Sequence, residues 1–406
     1  MKALTKISIG FLALAAVALW FTSCSSEDVA SGTNQGNQES ILLLSFNTGK
    51  MGTRATTTNP TDEEKNIEDM TIGIYSSDGQ KLRTVQTLTK ANGESDAPAG
   101  SNKFYIDGSG NAVAKIVTTA ALTAGDQVLV AANTGGSADF SKKGNVDGFK
   151  SVEIDATTAL TGEAGGTTLT ATKLPKFGAS SGKLKATDNN SEFTASDIKL
   201  KNLVSKISLQ SITVNFTSPG PYASATFEPQ EMYLESVPAK MQFSETAWVS
   251  DPGSSYLSGK DADEGFKGFL KVTLSTPSGE GASKVLSASN PTFTGTDADV
   301  LYTIPNIKTD EHKTVLVIKG QFSGEDNTVY YKMPLNVKFD TAGKPSGAVA
   351  DATSAFQIPS GKNIKCSITI NTIGSTKPDA ESGPLTATLT VTVDPWDDLD
   401  QNTTFQ

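Results

Sequence analysis

The chain carries few residues that could do chemistry. Its single histidine, His312, stands beside Glu311 just before a β-branched run. One imidazole cannot complete a tetrahedral metal site, nor a Ser/His/Asp or Cys/His set, so His312 reads as a surface residue. Cys366 falls at an alternating position of IKCSITI, where a thiol is a small buried hydrophobe rather than a nucleophile. Gly178 to Leu184, GASSGKL, misses the phosphate-loop pattern in spacing and in its last position, and reads as a loop. The acidic runs Asp261-Ala262-Asp263-Glu264 and Asp397-Asp398-Leu399-Asp400 lack the ligand spacing of a calcium loop and read as solvated surface. With 3 Trp and 8 Tyr, aromatics for a sugar platform are few. No catalytic residue, metal ligand or cofactor is expected, and the chain is not read as an enzyme.

The chemistry the sequence does provide for is done to the chain. Lys2 and Lys6 form a basic start, and the 15 residues from Ile7 to Phe21 are apolar. That is short of the ~20 residues that span a bilayer as a helix, so residues 1–23 read as a cleaved export signal. Phe21-Thr22-Ser23-Cys24 looks like a bacterial lipobox, with Phe21 where leucine is usual. Cys24 would then be acylated, palmitate included, and become the new N-terminus; several acyl chains anchor firmly where one is marginal. Ser25-Ser26-Glu27-Asp28 is similar to the acidic patch that sends some lipoproteins to the cell surface. A polar tether runs from there to Ser40. Ile41-Leu42-Leu43-Leu44-Ser45-Phe46 is too short for a helix and almost wholly apolar, a candidate buried strand. Residues 47–60 are exposed by composition, and Arg54-Ala55 is the obvious trypsin-like bond within them.

The elements that must position these residues are strands. Leu385, Ala387, Leu389, Val391 and Val393 share one face of LTATLTVTV, with threonines on the other, and a polar tail containing Trp396 comes after. This strict period of two is a strand with one apolar row. It either closes the chain's own β-sandwich or completes a sheet in the next molecule. Short β-branched runs between turn residues recur from Asp69 onward, and helical periodicity is scarce, so the fold class is all-β. Residues 178–191 are the best candidate linker, which divides the chain into residues 55–192 and 193–406. With 34 Lys+Arg against 44 Asp+Glu, the net charge of −10 repels nucleic acid, which is excluded as a partner.

Taken in order, these pieces resemble the fimbrillins, the major subunits of type V pili. The resemblance rests on the lipobox and Arg site (Cys24, Arg54-Ala55), DMTIGIYSSDGQ, LVAANTG, IKLKNLVSKISL, ATFEPQEMYLESVPAK, VLYTIPNIK, TVLVIKGQF, VYYKMPLNVKF, GKNIKCSITINTIGSTKP and LTVTVDPWDDLDQNTTFQ. Cys366 stands where the family often has tyrosine, and Asn202 where it often has arginine. The resemblance implies two tandem transthyretin-like β-sandwich domains behind a lipoprotein signal (1–23) and a propeptide (24–54). It implies a lipid-anchored precursor in the outer membrane, cut by an Arg-specific protease and then built into an extracellular fimbrium that supports adhesion. Ile41, Leu42, Leu43, Leu44 and Phe46 would form a temporary plug strand. The segment 385–406, with Leu385, Ala387, Leu389, Val391, Val393 and Trp396, would be donated to the groove the plug leaves. The expected partners are other copies of the chain and accessory and anchor pilus subunits. A monomeric or pilus-tip adhesin binding glycan or host protein is the alternative; a tip subunit must accept a strand but need not donate one.

Overall fold

The computed structural model describes residues 40–47, 61–92, 96–108, 110–136, 138–180, 183–186, 192–216, 219–249, 255–261, 263–276, 283–309, 311–323, 327–340, 344–350, 353–379 and 387–395. The architecture is all-β. Among the described residues three short α-helices interrupt the strands: α1 (Asp62–Lys65), α2 (Val146–Lys150) and α3 (Ala156–Thr161).

The first half contributes β1 (Ser40–Asn47), β2 (Asp69–Tyr75), β3 (Leu82–Lys90), β4 (Lys103–Ile106), β5 (Asn111–Thr118), β6 (Gln127–Ala132), β7 (Glu153–Asp155), β8 (Lys176–Ala179), β9 (Lys185–Ala186), β10 (Glu192–Lys199) and β11 (Lys201–Asn202). Among the described residues ten of these form one sheet, in the order β11-β8-β6-β2-β3-β4-β5-β1-β10-β9. The link between β3 and β4 is only two residue pairs, Thr89 with Lys103 and Lys90 with Phe104. There the sheet folds over. Met70, Ile72, Ile74, Val128 and Val130 from one half meet Leu42, Leu44, Ala114, Ile116 and Phe193 from the other in a single core. β2 is buried on both faces, which DMTIGIY achieves by carrying Gly73 on the face opposite Ile72 and Ile74. A Cβ at Gly73 would lie 2.9 Å from the Phe149 ring, so the glycine lets Phe149 pack flat on the strand.

The stretch 178–191, expected as a linker, contributes instead to this sheet through β8 and β9. Strands β10 and β11, which the sequence pattern places at the start of the second block, also pair here. The reason is a close backbone approach. A Cβ at Gly178 would lie 2.6 Å from the Lys199 carbonyl oxygen, so glycine is what allows β8 to pass beside 198–200.

The second half runs through β12 (Ser205–Val214), β13 (Phe227–Glu235), β14 (Val237–Pro238), β15 (Lys240–Gln242), β16 (Tyr256–Leu257), β17 (Lys271–Thr273), β18 (Thr292–Thr294), β19 (Val300–Thr303), β20 (Val315–Phe322), β21 (Asn327–Pro334), β22 (Lys338–Phe339), β23 (Pro345–Gly347), β24 (Lys362–Ile370) and β25 (Ala387–Pro395). One sheet has the order β18-β12-β24-β25, with β19 also on β12; a second has the order β17-β13-β20-β21. Ile207, Leu209, Ile364, Cys366 and Ile368 of the first join Met232, Leu234, Leu316, Ile318 and Tyr331 of the second in one apolar core. This core continues into the first half. There β7 pairs with β15, and Phe140 packs on Phe149 and Phe243 at ring distances of 4.5 and 5.5 Å.

Candidate functional site

Strand β1 is held at both edges. It runs antiparallel to β5 from Ser40 opposite Thr118 to Asn47 opposite Asn111. It runs parallel to β10 from Ile41 opposite Glu192 to Asn47 opposite Lys199, with a bulge between Leu44 and Phe46. Its alternation is read by the core: Leu42 and Leu44 are fully buried, while Leu43 is 42% exposed. Leu42 lies between Ile116 and Phe193, and Leu44 between Ala114 and Ala195. The two alanines leave the volume that a leucine fills. Taking β1 out would therefore break two ladders of backbone hydrogen bonds and open an apolar slot, an exposure that native sheets avoid.

Strand β25 has the opposite status. Among the described residues it pairs with β24 alone, in an antiparallel ladder from Lys362 opposite Pro395 to Ile370 opposite Ala387. Its apolar row is in register with the core row of β24: Ala387 with Ile370, Leu389 with Ile368, Val391 with Cys366 and Val393 with Ile364. Ala387 is buried and Leu389 packs against the core. Of the two roles left open for this segment, the single chain therefore shows it paired on its own sheet, at the edge. Burial pushes the Cys366 thiol up to about 12, and it sits on β24 as an inert apolar group.

Cys24, Arg54, Ala55, Leu385 and Trp396 lie outside the described residues. His312 stacks on Tyr256 at 4.4 Å. Two members of the first acidic run are ion-paired: Asp261 with Lys271 at 2.9 Å and Asp263 with Lys260 at 3.2 Å. Among the described residues no group of three or more His, Cys, Asp or Glu side chains could hold a metal ion.

A polar network that sequence reasoning missed surrounds α1. Thr61 caps α1 in a capping box: its hydroxyl accepts from the Glu64 amide at 3.2 Å, and Glu64 Oε2 accepts from the Thr61 amide at 2.7 Å. Glu64 is 1% exposed, and its Oε1 accepts from Lys206 Nζ of β12 at 2.8 Å and from the Tyr302 hydroxyl of β19. Burial alone would raise this carboxyl, but the Lys206 charge with hydrogen bonds from Lys206, Tyr302 and the Thr61 amide holds it below its ordinary value. Lys176 Nζ of β8 donates to the Glu64 carbonyl at 2.6 Å and to Asn202. Just beyond, Asn133 adopts a left-handed backbone (φ 55°). Its Oδ1 accepts from the Glu68 amide, and its Nδ2 donates to the carbonyls of Asn66 and Leu174, each at 2.9 Å. The capping box was legible as T-x-x-E; the partners on β8, β12 and β19 are too distant in sequence for any local pattern to point to them.

No family model matches the chain, and none of the curated proteins matches it. Solved structures do. A candidate cell adhesion protein of Bacteroides eggerthii is 18% identical with a TM-score of 0.55, over 90% of this chain and 98% of its own. Another candidate cell adhesion protein, from Parabacteroides distasonis, is 15% identical with a TM-score of 0.57, over 89% of this chain and 98% of its own. A fimbrilin of Porphyromonas gingivalis is 15% identical with a TM-score of 0.52, over 89% of this chain and 99% of its own. At such identities the likeness is one of fold. This chain has the all-β fold of a fimbrilin and of cell adhesion candidates, along nearly its whole length.

Proposed function

We propose that the chain is a non-catalytic structural subunit of a bacterial surface fimbria, made as a lipoprotein and polymerised by strand exchange. Cys24 carries the acyl chains that hold the precursor in the outer membrane. An Arg-specific protease cuts at Arg54-Ala55 and frees the leader, with β1 as its plug. The slot between β5 and β10 then takes residues 385–406 of a neighbouring copy. The observation that carries this reading is the inequality of the two strands. β1 occupies a place with hydrogen-bonding neighbours on both sides, whereas β25, among the described residues, pairs on one side only. A strand moving from the second kind of place to the first exchanges one ladder for two, and its alternate side chains fill the slot. Because β25 is already ordered on β24, much of the backbone entropy of ordering it is not incurred again on transfer. The fold shared with a fimbrilin supports the same reading. The contact joins two different surfaces and does not close, so it propagates as a filament.

The test is to incubate purified precursor with an Arg-specific protease and examine the product in mild SDS. A ladder of multimers is expected. Complete cleavage at Arg54 that leaves only monomer would overturn the proposal.

A further inference from the structure

Cutting at Arg54 makes a new chain end six residues before Thr61 in the sequence, and loss of β1 removes an interior strand of the first sheet. Both events would be expected to loosen residues 61–69, since chain ends fray unless tied down. These residues lead directly into β2, the doubly buried strand at the middle of the sheet. Among the described residues, the hydrogen bonds that tie residues 61–69 and are named next come from segments other than β1. Glu64 is gripped by Lys206 of β12 and Tyr302 of β19, and its carbonyl by Lys176 of β8. Asn66 accepts from Lys90 Nζ of β3 at 2.7 Å and donates to the Thr172 carbonyl at 3.2 Å. Asn133 holds the Glu68 amide, and Thr134 donates to Asp69 from its amide and its hydroxyl, each at 2.8 Å. All the partners named stand on elements that cleavage leaves in place.

We propose that Glu64, with Lys206 and Tyr302, is a clamp that holds the post-cleavage end of the subunit. It fixes residues 61–69, and through them β2, to the second half of the molecule, so that the slot keeps its shape while it stands empty. Glu64 is a positioning residue for assembly; this role rests on the strand-exchange reading above. A buried carboxylate with three donors suits the task because Thr61, Lys206 and Tyr302, which supply them, all lie outside β1. Losing either charged member leaves the other charge without its partner, so Glu64 and Lys206 hold as a pair, with Tyr302 adding one hydrogen bond.

The experiment compares wild type, Glu64→Gln and Lys206→Met, each as full-length precursor and after cleavage by an Arg-specific protease. Hydrogen exchange is followed by mass spectrometry in peptides covering 61–75 and 111–118, and multimers are followed in mild SDS. Before cleavage, the variants should match wild type in 111–118. After cleavage, exchange in 61–75 should rise by about ten-fold over cut wild type, and multimers should form about ten-fold more slowly. An exchange increase in 61–75 that is equal before and after the cut would reduce Glu64 to an ordinary structural ion pair. Multimers forming at the wild-type rate would overturn the clamp outright. Should either variant fail to fold as precursor, Tyr302→Phe removes a single hydrogen bond and carries the same comparison, with a change of about three-fold. If cut wild type forms no multimers, the strand-exchange reading fails; the exchange data then decide the clamp alone.

Discussion

Glu64 is a carboxylate that stays ionised where there is almost no water. Its carboxyl lies below the ordinary 4.5 because the charge and donors around it outweigh its burial. A carboxyl depressed in the folded state binds its proton less readily than in the unfolded chain, so stability falls as pH drops. The contribution is complete above about 4.5, declines below it, and is gone once pH passes the folded value. Glu64→Gln should flatten the acid limb of a stability-against-pH curve below about pH 4.5 and leave its shape near neutrality unchanged; urea midpoints taken from neutrality down that limb check it. Gly178 is a second residue whose identity the fold dictates. Gly178→Ala brings a Cβ to 2.6 Å from the Lys199 carbonyl and should lower stability by about 1–3 kcal/mol, read from the denaturant midpoint. Neither role could be read locally: Gly178 sits in what passes for a flexible loop, and Glu64 in a capping box that says nothing of Lys206.

At the scale of elements, β1 and β25 are distinguished by their neighbours more than by their composition. β1 was legible as a short, almost wholly apolar run and β25 as a strict alternation of apolar residues with threonines. Leu44→Ala leaves an unfilled space beside Ala114 and Ala195 and should lower precursor stability by about 2–5 kcal/mol. Once the leader is cut and removed, the same substitution should have no effect; thermal melts of both forms test this. On β25, Leu389 is on the apolar row and Thr390 on the opposite one. Leu389→Asp should abolish multimers, whereas Thr390→Asp should change their yield by less than about two-fold. Equal effects would mean that the strand is not read through alternate side chains. Strand positions and faces were visible in the sequence because period-two patterning is local. Pairing partners were not, because β1 joins β5 and β10 across long stretches of intervening chain.

For the whole molecule, the apolar core that runs from Tyr75 and Phe149 to Ile368 and Tyr331 ties the two halves together. A filament subunit that accepts a strand in one half and donates one from the other transmits load through this core. Under strand exchange, control of assembly rests in one peptide bond. Arg54→Ala should therefore give folded monomer that stays monomeric when the Arg-specific protease is added, measured by light scattering. Assembly of that variant at the wild-type rate would remove the cut from the mechanism.

The sequence by itself determined the all-β class, the existence and faces of the main strands, the poverty of catalytic side chains, and the pattern that reads as export and lipidation. Each of these depends on residues adjacent in the chain or on composition. Tertiary structure alone decided that β1 lies between two neighbours while β25, among the described residues, lies at an edge. It also decided that β8 to β11 complete the first sheet and that Glu64 meets Lys206 and Tyr302. Those facts depend on which distant segments share a sheet or a core. Such contacts are selected by burial and backbone pairing summed over the whole fold, and no local stretch of sequence encodes them.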